Sequence, residues 1–208
     1  MNEKTSIVLI IDDDAQLLRY LAKLVRSVGL DAKTFVSADD FLKYEMPEAP
    51  CCMVLDVRMP GLSGLELHDR LLEQGVDAPV VFLTAHASVH MSVESMKKGA
   101  VDFIEKPFED QELLDAVHHA LEKARAALSE KSGTAEIRNR FETLTKRERE
   151  VFRLVVDGLL NKQIAFELHI SEKTVKIHRG RVMRKMGAES LAHLVKISQK
   201  LAIEGVFV

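Results

Sequence analysis

The sequence contains no tryptophan and only two cysteines, and those two are adjacent, Cys51 and Cys52. Neighbouring cysteines cannot staple distant parts of a chain, so a disulfide framework is excluded and a reducing compartment fits. They read most simply as two buried thiols at the start of a strand, not as redox groups or metal ligands. Also missing is any apolar run long enough to cross a bilayer, and Met1-Asn2-Glu3-Lys4 lacks the pattern of a secretory signal. These absences point away from membranes and towards the cytoplasm. What is present is a chain of 208 residues, 47% of them hydrophobic. That length suits one full domain joined to a small one, with ample material for both cores.

The net charge of −3 conceals two opposite halves. Residues 1–125 carry 13 Lys and Arg against 22 Asp and Glu, a balance of −9. Residues 126–208 carry 16 against 10, a balance of +6. Halves of opposite sign suggest different partners, with nucleic acid the first candidate for the basic one.

Ile7-Val8-Leu9-Ile10-Ile11 is a continuous apolar run, as in a parallel strand buried on both faces, and it ends in Asp12-Asp13-Asp14. Leu17, Leu18, Leu21, Leu24, Val25 and Val28 follow at helical spacing, with Gly29 placed to close the helix. Further strands are expected at residues 32–36, 53–55, 79–83 and 101–104. Between them, helices are expected in a short stretch after Ser37, at 65–74, at 88–98 and from 110 to about 128. Five strands alternating with five helices predict a doubly wound α/β domain with a parallel sheet over residues 1–128. Residues 129–140 read as a linker whose first part can extend the preceding helix, because the stretch from Ser129 to Glu136 lacks apolar anchors. Beyond it, Thr145-x-x-Glu148 is a capping box, Asn161 can cap a second helix and Ser171 a third, and a fourth spans about 191–202. Residues 141–208 therefore predict an all-α four-helix domain with a helix-turn-helix between its second and third helices.

In a parallel sheet the carboxyl ends of the strands face one crevice. That crevice would hold Asp12 and Asp13 from the first strand, Asp56 from the third, Thr84 from the fourth and Lys106 after the fifth. Each alone reads equally well as a capping Asp, a strand-end Thr or a surface Lys; their joint placement is the informative feature. Three carboxylates in one small site repel one another and need a cation, and Mg²⁺ suits such hard oxygen ligands. A carboxylate beside Mg²⁺ can attack a phosphoryl group to give an aspartyl phosphate. Thr84 and Lys106 are suited to hold the phosphoryl oxygens.

The second focus of charge is the stretch from Ser171 to Met186. Val175, Val182 and Met186 share one face by spacing, with His178 between them, so that face should be core and His178 a packed histidine reaching a polar partner. Lys173, Lys176, Gly180 and Arg184 form the outward stripe, flanked by Arg179, Arg181 and Lys185. Six cations against Glu172 alone exceed what solubility requires, and a basic helix after a tight turn is the usual reader of the major groove.

Several motifs carry a family resemblance. Residues 1–128 resemble the flavodoxin-like, (βα)5 receiver domain of two-component response regulators through Ile11-Asp12-Asp13-Asp14, Leu55-Asp56-Val57-Arg58-Met59-Pro60-Gly61-Leu62-Ser63-Gly64, Leu83-Thr84-Ala85 and Glu105-Lys106-Pro107-Phe108. The C-terminal part resembles the LuxR-type helix-turn-helix through Leu144-Thr145-Lys146-Arg147-Glu148, Asn161-Lys162-Gln163-Ile164-Ala165, Ser171-Glu172-Lys173-Thr174-Val175-Lys176-Ile177-His178 and Lys185-Met186-Gly187. Together they resemble the NarL/FixJ family, on its FixJ-like side.

The resemblance implies that Asp56 accepts a phosphoryl group from a histidine kinase. It implies that Asp13, Asp56 and the backbone carbonyl of Arg58 ligate Mg²⁺, with Asp12 assisting through water. Lys106-Pro107 would be a cis peptide, and Phe103 a switch aromatic that follows Thr84 inward. A surface including Val89, Val93, Met96 and Lys97 would pair two copies after phosphorylation. Lys176 and Ile177 would face base edges, and Lys173, Thr174, Arg179 and Lys185 would mostly meet phosphates; promoter DNA and RNA polymerase are the implied partners. Gly180 lies where some relatives carry a longer, base-reading side chain. Arg58 and His86, two residues after Asp56 and Thr84, fall where receivers overlook the attacking water, and this pair is expected to slow self-dephosphorylation.

Two rival readings stand beside this one. A Mg²⁺-dependent phosphatase would suit Asp12-x-Asp14, but Ala15-Gln16 follows where Gly-Thr is expected, and the basic helix is left without a role. A receiver that acts through protein binding alone, its basic helix docked on a partner, is the other.

Overall fold

Alternation along the first strand sets up the layers of the N-terminal unit. In a computed structural model, which describes residues 5–85 and 89–203, the strand Ile7–Ile11 (β1) sends Val8 and Ile10 into one core and Leu9 and Ile11 into another. Side chains alternate across a strand, so one central strand feeds two apolar layers. The other strands are Asp31–Phe35 (β2), Cys51–Asp56 (β3), Val80–Thr84 (β4) and Asp102–Glu105 (β5). They pair in parallel in the order β2-β1-β3-β4-β5.

The helices of this unit are Ala15–Ser27 (α1), Ala38–Leu42 (α2), Gly64–Glu73 (α3), Val89–Lys97 (α4) and, up to Leu128, the first part of Asp110–Glu142 (α5). Leu18, Leu21 and Val25 of α1 and Leu113, Val117 and Leu121 of α5 cover the Val8/Ile10 face. Phe41 of α2 and Leu67 and Leu71 of α3 cover the Leu9/Ile11 face. The sheet is thus covered on both sides, as the doubly wound α/β reading requires. Cys51 and Cys52 are buried free thiols in β3, and burial pushes both thiol pKa values up, which leaves them inert.

The expected boundaries shift by a residue or two. β2 is an edge strand with mostly exposed side chains, so the apolar signal that placed it at 32–36 was weak; it ends at Phe35, and Val36 is exposed. β3 is longer than the 53–55 core, because both cysteines and Asp56 itself belong to the ladder. Residues 129–140, read as a linker whose first part can extend the preceding helix, are helical throughout as part of α5. Ion pairs at i, i+4 spacing run along this stretch, Glu136 with Arg140 at 2.7 Å and Arg138 with Glu142 at 3.4 Å, and support a helix that has few apolar anchors.

The second unit, residues 129–208, has its own core. It holds Lys146–Val156 (α6), Asn161–Glu167 (α7), Glu172–Met186 (α8) and Leu191–Ile203 (α9). Phe152, Val155, Ile164, Val175, Val182, Met186, Leu194 and Leu201 are its buried centre, and Phe141 meets Phe152 edge to face at 5.4 Å. Thr145 and Glu148 form the expected capping box of α6. The start of α7 corrects the expectation for Asn161, which is the first helical residue. Leu160 stands at the cap, and its N–H donates to the Gln163 side chain at 2.8 Å. The turn into α8 passes through His169 at φ 52, and Ser171 caps the new helix by accepting from the Thr174 N–H at 3.1 Å. No helix among the described residues is long and apolar enough to cross a membrane.

Candidate functional site

Register aligns the strand ends that hold the charged residues. Ile11 pairs with Leu55, Asp56 with Leu83 and Thr84 with Glu105, so Asp12, Asp56, Thr84 and Lys106 emerge in one row. The Val57 N–H donates to the Leu83 carbonyl at 2.8 Å, and the Lys106 N–H to the Thr84 carbonyl at 2.6 Å, carrying the ladder to its last residues. Carboxylate oxygens of Asp12, Asp13 and Asp56 lie within 4.8 Å of one another. Asp12 and Asp56 are buried and Asp13 is exposed. The Lys106 ammonium donates to Asp12 at 2.7 Å and to Asp56 at 3.1 Å.

The three consecutive aspartates have separate tasks. Asp14 caps α1, accepting from the N–H groups of Gln16 at 2.7 Å and Leu17 at 3.2 Å, and these hydrogen bonds hold its pKa below the ordinary value. Asp12 accepts from the Asp14 N–H at 2.8 Å, which orients its carboxylate towards Lys106. Asp13 is left to face the crevice mouth. On the opposite wall, α3 begins against the end of β3, and its first residue is Gly64. A Cβ there would strike the Asp56 carbonyl oxygen and press on the Leu55 side chain, so only glycine lets the helix start this close.

Burial raises the Asp56 pKa, and the charges of Asp12 and Asp13 push the same way; Lys106 opposes them. For Lys106, burial alone would favour loss of the proton, but hydrogen bonds and charge from Asp12 and Asp56 outweigh it and raise its pKa. One ammonium against three carboxylates leaves the pocket negative. A hard oxygen donor set with surplus negative charge fits a Mg²⁺ ion, and Asp12, Asp13 and Asp56 are the side chains that would hold it.

Thr84 is fully buried at the end of β4. Phe103 is half-buried, its ring 5.9 Å from Phe82, and Phe82 meets the buried His68 of α3 edge to face at 5.5 Å. The sequence reading passed over His68, whose burial under α3 holds its pKa below the usual histidine value. Its place on the apolar face of α3, one residue after Leu67, was the available signal. Lys106-Pro107 is cis. Of the surface suggested for pairing, Val93 and Met96 are 45% and 48% exposed, and Lys97 is exposed with Glu94 at 3.6 Å. Arg58 is exposed beside the pocket. The side chain of Val89 and the whole of His86 fall outside the described residues.

On α8 the core face is Val175, Val182 and Met186, all fully buried, and the opposite face carries Lys173, Lys176, Gly180 and Arg184, all exposed. Ile177 is 48% exposed among these cations. Thr174, half-buried, shares a 2.8 Å hydrogen bond with Ser171.

Other residues depart from the reading. Lys185, expected to meet phosphate, donates instead to the buried Glu148 at 2.6 Å and to the Thr143 carbonyl at 2.9 Å, tying α8 to the start of α6. Arg179, expected to do the same, is half-buried and donates to the Asn161 side chain at 3.1 Å, bracing α8 against α7. His178 finds no hydrogen-bond partner for its buried Nδ1, because its neighbours on the core face are apolar. Arg147, which the reading did not single out, donates to the Leu168 carbonyl at 2.6 Å and pairs with Glu150 at 2.7 Å, holding the end of α7 where the chain turns. Except for the local Arg147–Glu150 pair, these partners are distant in sequence and leave no local trace.

Residues 8–118 match the model of the response regulator receiver domain, and residues 142–198 that of the luxR family of bacterial regulatory proteins. The chain is 48% identical over 198 residues to nodulation protein W of Bradyrhizobium diazoefficiens, covering 95% of this chain and 87% of that one. It is 43% identical over 191 residues to the transcriptional regulatory protein FixJ of Rhizobium meliloti, covering 92% and 94%. The solved structure of the response regulator StyR superposes with a TM-score of 0.85 at 42% identity, over 95% of this chain and all of that one. Such regulators are not classical enzymes, which removes the phosphatase reading. An acidic strand-end pocket on a receiver and a cationic helix in a helix-turn-helix place this chain among the FixJ-like two-component transcriptional response regulators.

Proposed function

We propose that Asp56 takes a phosphoryl group from a sensor histidine kinase and that this event drives two copies of the chain onto promoter DNA. A carboxylate oxygen of Asp56 attacks phosphorus; the P–N bond to the kinase histidine breaks, and the departing imidazole takes up a proton. Lys106 turns from Asp12 and Asp56 to the phosphoryl oxygens, and the Thr84 hydroxyl donates to another. Asp12, Asp13, Asp56 and the Arg58 carbonyl would hold Mg²⁺, which when bound neutralises charge on the attacking and transferred oxygens. The observation that carries this reading is the Lys106 ammonium bridging Asp12 and Asp56 at aligned strand ends.

Movement of Thr84 towards the phosphoryl group vacates space that Phe103 follows into, changing the surface of α4 and β5. The exposed Val93 and Met96, with Val89 and Lys97, then pair two receivers. The paired helix-turn-helix units meet a two-fold site in the cytoplasm, with Lys173, Lys176, Ile177 and Arg184 on the DNA and RNA polymerase recruited alongside.

Asp56→Asn tests the scheme. Incubation with a small phosphodonor and Mg²⁺ should label the wild type once per chain and increase its occupancy of promoter DNA, while the variant gives neither. Labelling and increased occupancy that both survive the substitution would overturn the proposal.

A further inference from the structure

Gly180 is the ninth of the fifteen residues of α8. Glycine in a helix interior is costly, because it loses more backbone freedom on folding than any other residue. Glycine is ordinarily kept there by a positive φ or by a neighbour that leaves no room for a Cβ. Neither holds here. Gly180 is helical and does not share the positive φ of the loop glycines, and a Cβ built on it meets nothing within 4 Å. Nothing among the described residues accounts for glycine at this position.

What surrounds it points outward. Gly180 lies opposite the buried Val175, Val182 and Met186, in the middle of the exposed face. At i−4, i−3 and i+4 on a helix surface stand its neighbours, Lys176, Ile177 and Arg184, all exposed. Long side chains ring a position that has none, and with Met183 at i+3 half-buried against the core, the face carries a notch with one exposed apolar wall. That wall is Ile177, exposed although strongly apolar. In the major groove the apolar feature on a base edge is the thymine C5-methyl group.

Building on the reading of α8 as the base-contacting helix, we propose that the notch at Gly180, walled by Ile177, receives a thymine methyl group and makes Gly180 a specificity-determining residue. The cations of Lys176 and Arg184 hold the flanking backbone or base edges while the missing Cβ lets the helix axis lie close to the pair. A methyl at position 180 would fill the notch and hold the helix away.

The test uses the full-length, phosphodonor-treated protein and a duplex selected by it from a random pool. Each thymine in the half-site is replaced in turn by deoxyuridine, which removes only the methyl group. One such replacement per half-site should weaken wild-type binding by about tenfold. Gly180→Ala should raise the melting temperature of the chain, lower its affinity for the selected duplex and abolish the penalty at that thymine. Ile177→Ala should also reduce the penalty, without the gain in melting temperature. A silent deoxyuridine scan, or a Gly180→Ala variant that is more stable and binds the duplex unchanged, overturns the proposal. Failure of the underlying reading looks different: no sequence would be enriched from the pool, or Lys176→Ala would weaken selected and random DNA equally.

Discussion

The two units treat charge in opposite ways. In the receiver, three carboxylates converge on a crevice and a single lysine, Lys106, enters among them. In the helix-turn-helix unit, cations spread over an outer face and a single carboxylate, Glu148, is buried beneath them against Lys185. The first arrangement carries surplus negative charge that a bound divalent cation would offset. The second is satisfied within the unit, so its outer cations are held on a scaffold ready for a polyanion. The acidic pocket and the cationic surface therefore differ in whether their charges are balanced within their own unit.

Replacing acid by amide should then have opposite effects in the two places. Glu148→Gln strands Lys185 and weakens an acceptor of the Thr145 N–H, so the second unit should lose about 2–3 kcal/mol in denaturant unfolding. Burial pulls the Glu148 pKa up, but Lys185 and Thr145 outweigh it and hold it below the ordinary carboxylate value. A depressed folded-state pKa gives stability that is complete above the ordinary value and lost as pH falls through the folded one. The gap between wild type and Glu148→Gln should therefore close under acid conditions, which thermal melts across that window will show.

Asp13→Asn instead removes one of three repelling charges. Without Mg²⁺ it should leave the receiver as stable as the wild type or stabilise it by up to about 1 kcal/mol, and it should weaken the stabilisation that added Mg²⁺ confers. Equal signs for the two substitutions would dissolve the contrast. The finest adjustment concerns Arg58, exposed at the pocket rim. Arg58→Ala should shorten the lifetime of the phosphorylated chain by about two- to threefold, worth roughly half a kcal/mol in the barrier, as followed by decay of the hydroxylamine-sensitive acyl phosphate label.

Much of this was legible in the sequence because it is written locally. The runs of β1, β3 and β4 are buried on both faces, so their positions hardly depend on partners, and the aspartates and Lys106 are fixed by where those strands stop. The edge strand β2 was blurred because only Phe35 of its residues is fully buried. Residues 129–140 were read as a linker from their lack of apolar residues, although the spacing of Glu136 with Arg140 and of Arg138 with Glu142 was open to inspection. Lys185 and Arg179 were assigned to phosphates by resemblance, and their contacts within the unit went unseen because those partners lie 37 and 18 residues away, where spacing arguments do not reach. Asn161 lost its expected cap role for the same reason, since its side-chain oxygen accepts from Arg179. Ser63, by contrast, forms a capping box with Glu66 that the rule applied at Thr145 would have found.

The close start of α3 against β3 has an outcome for anyone cataloguing substitutions in this chain. Position 64 has no side chain to offer the pocket, yet adding one methyl there drives into the carbonyl of Asp56 itself. A scan of substitutions would mark Gly64 as sensitively as Asp56, the one by moving the backbone, the other by removing a carboxylate. Telling those two kinds of loss apart requires asking whether the backbone, not the side chain, has been moved.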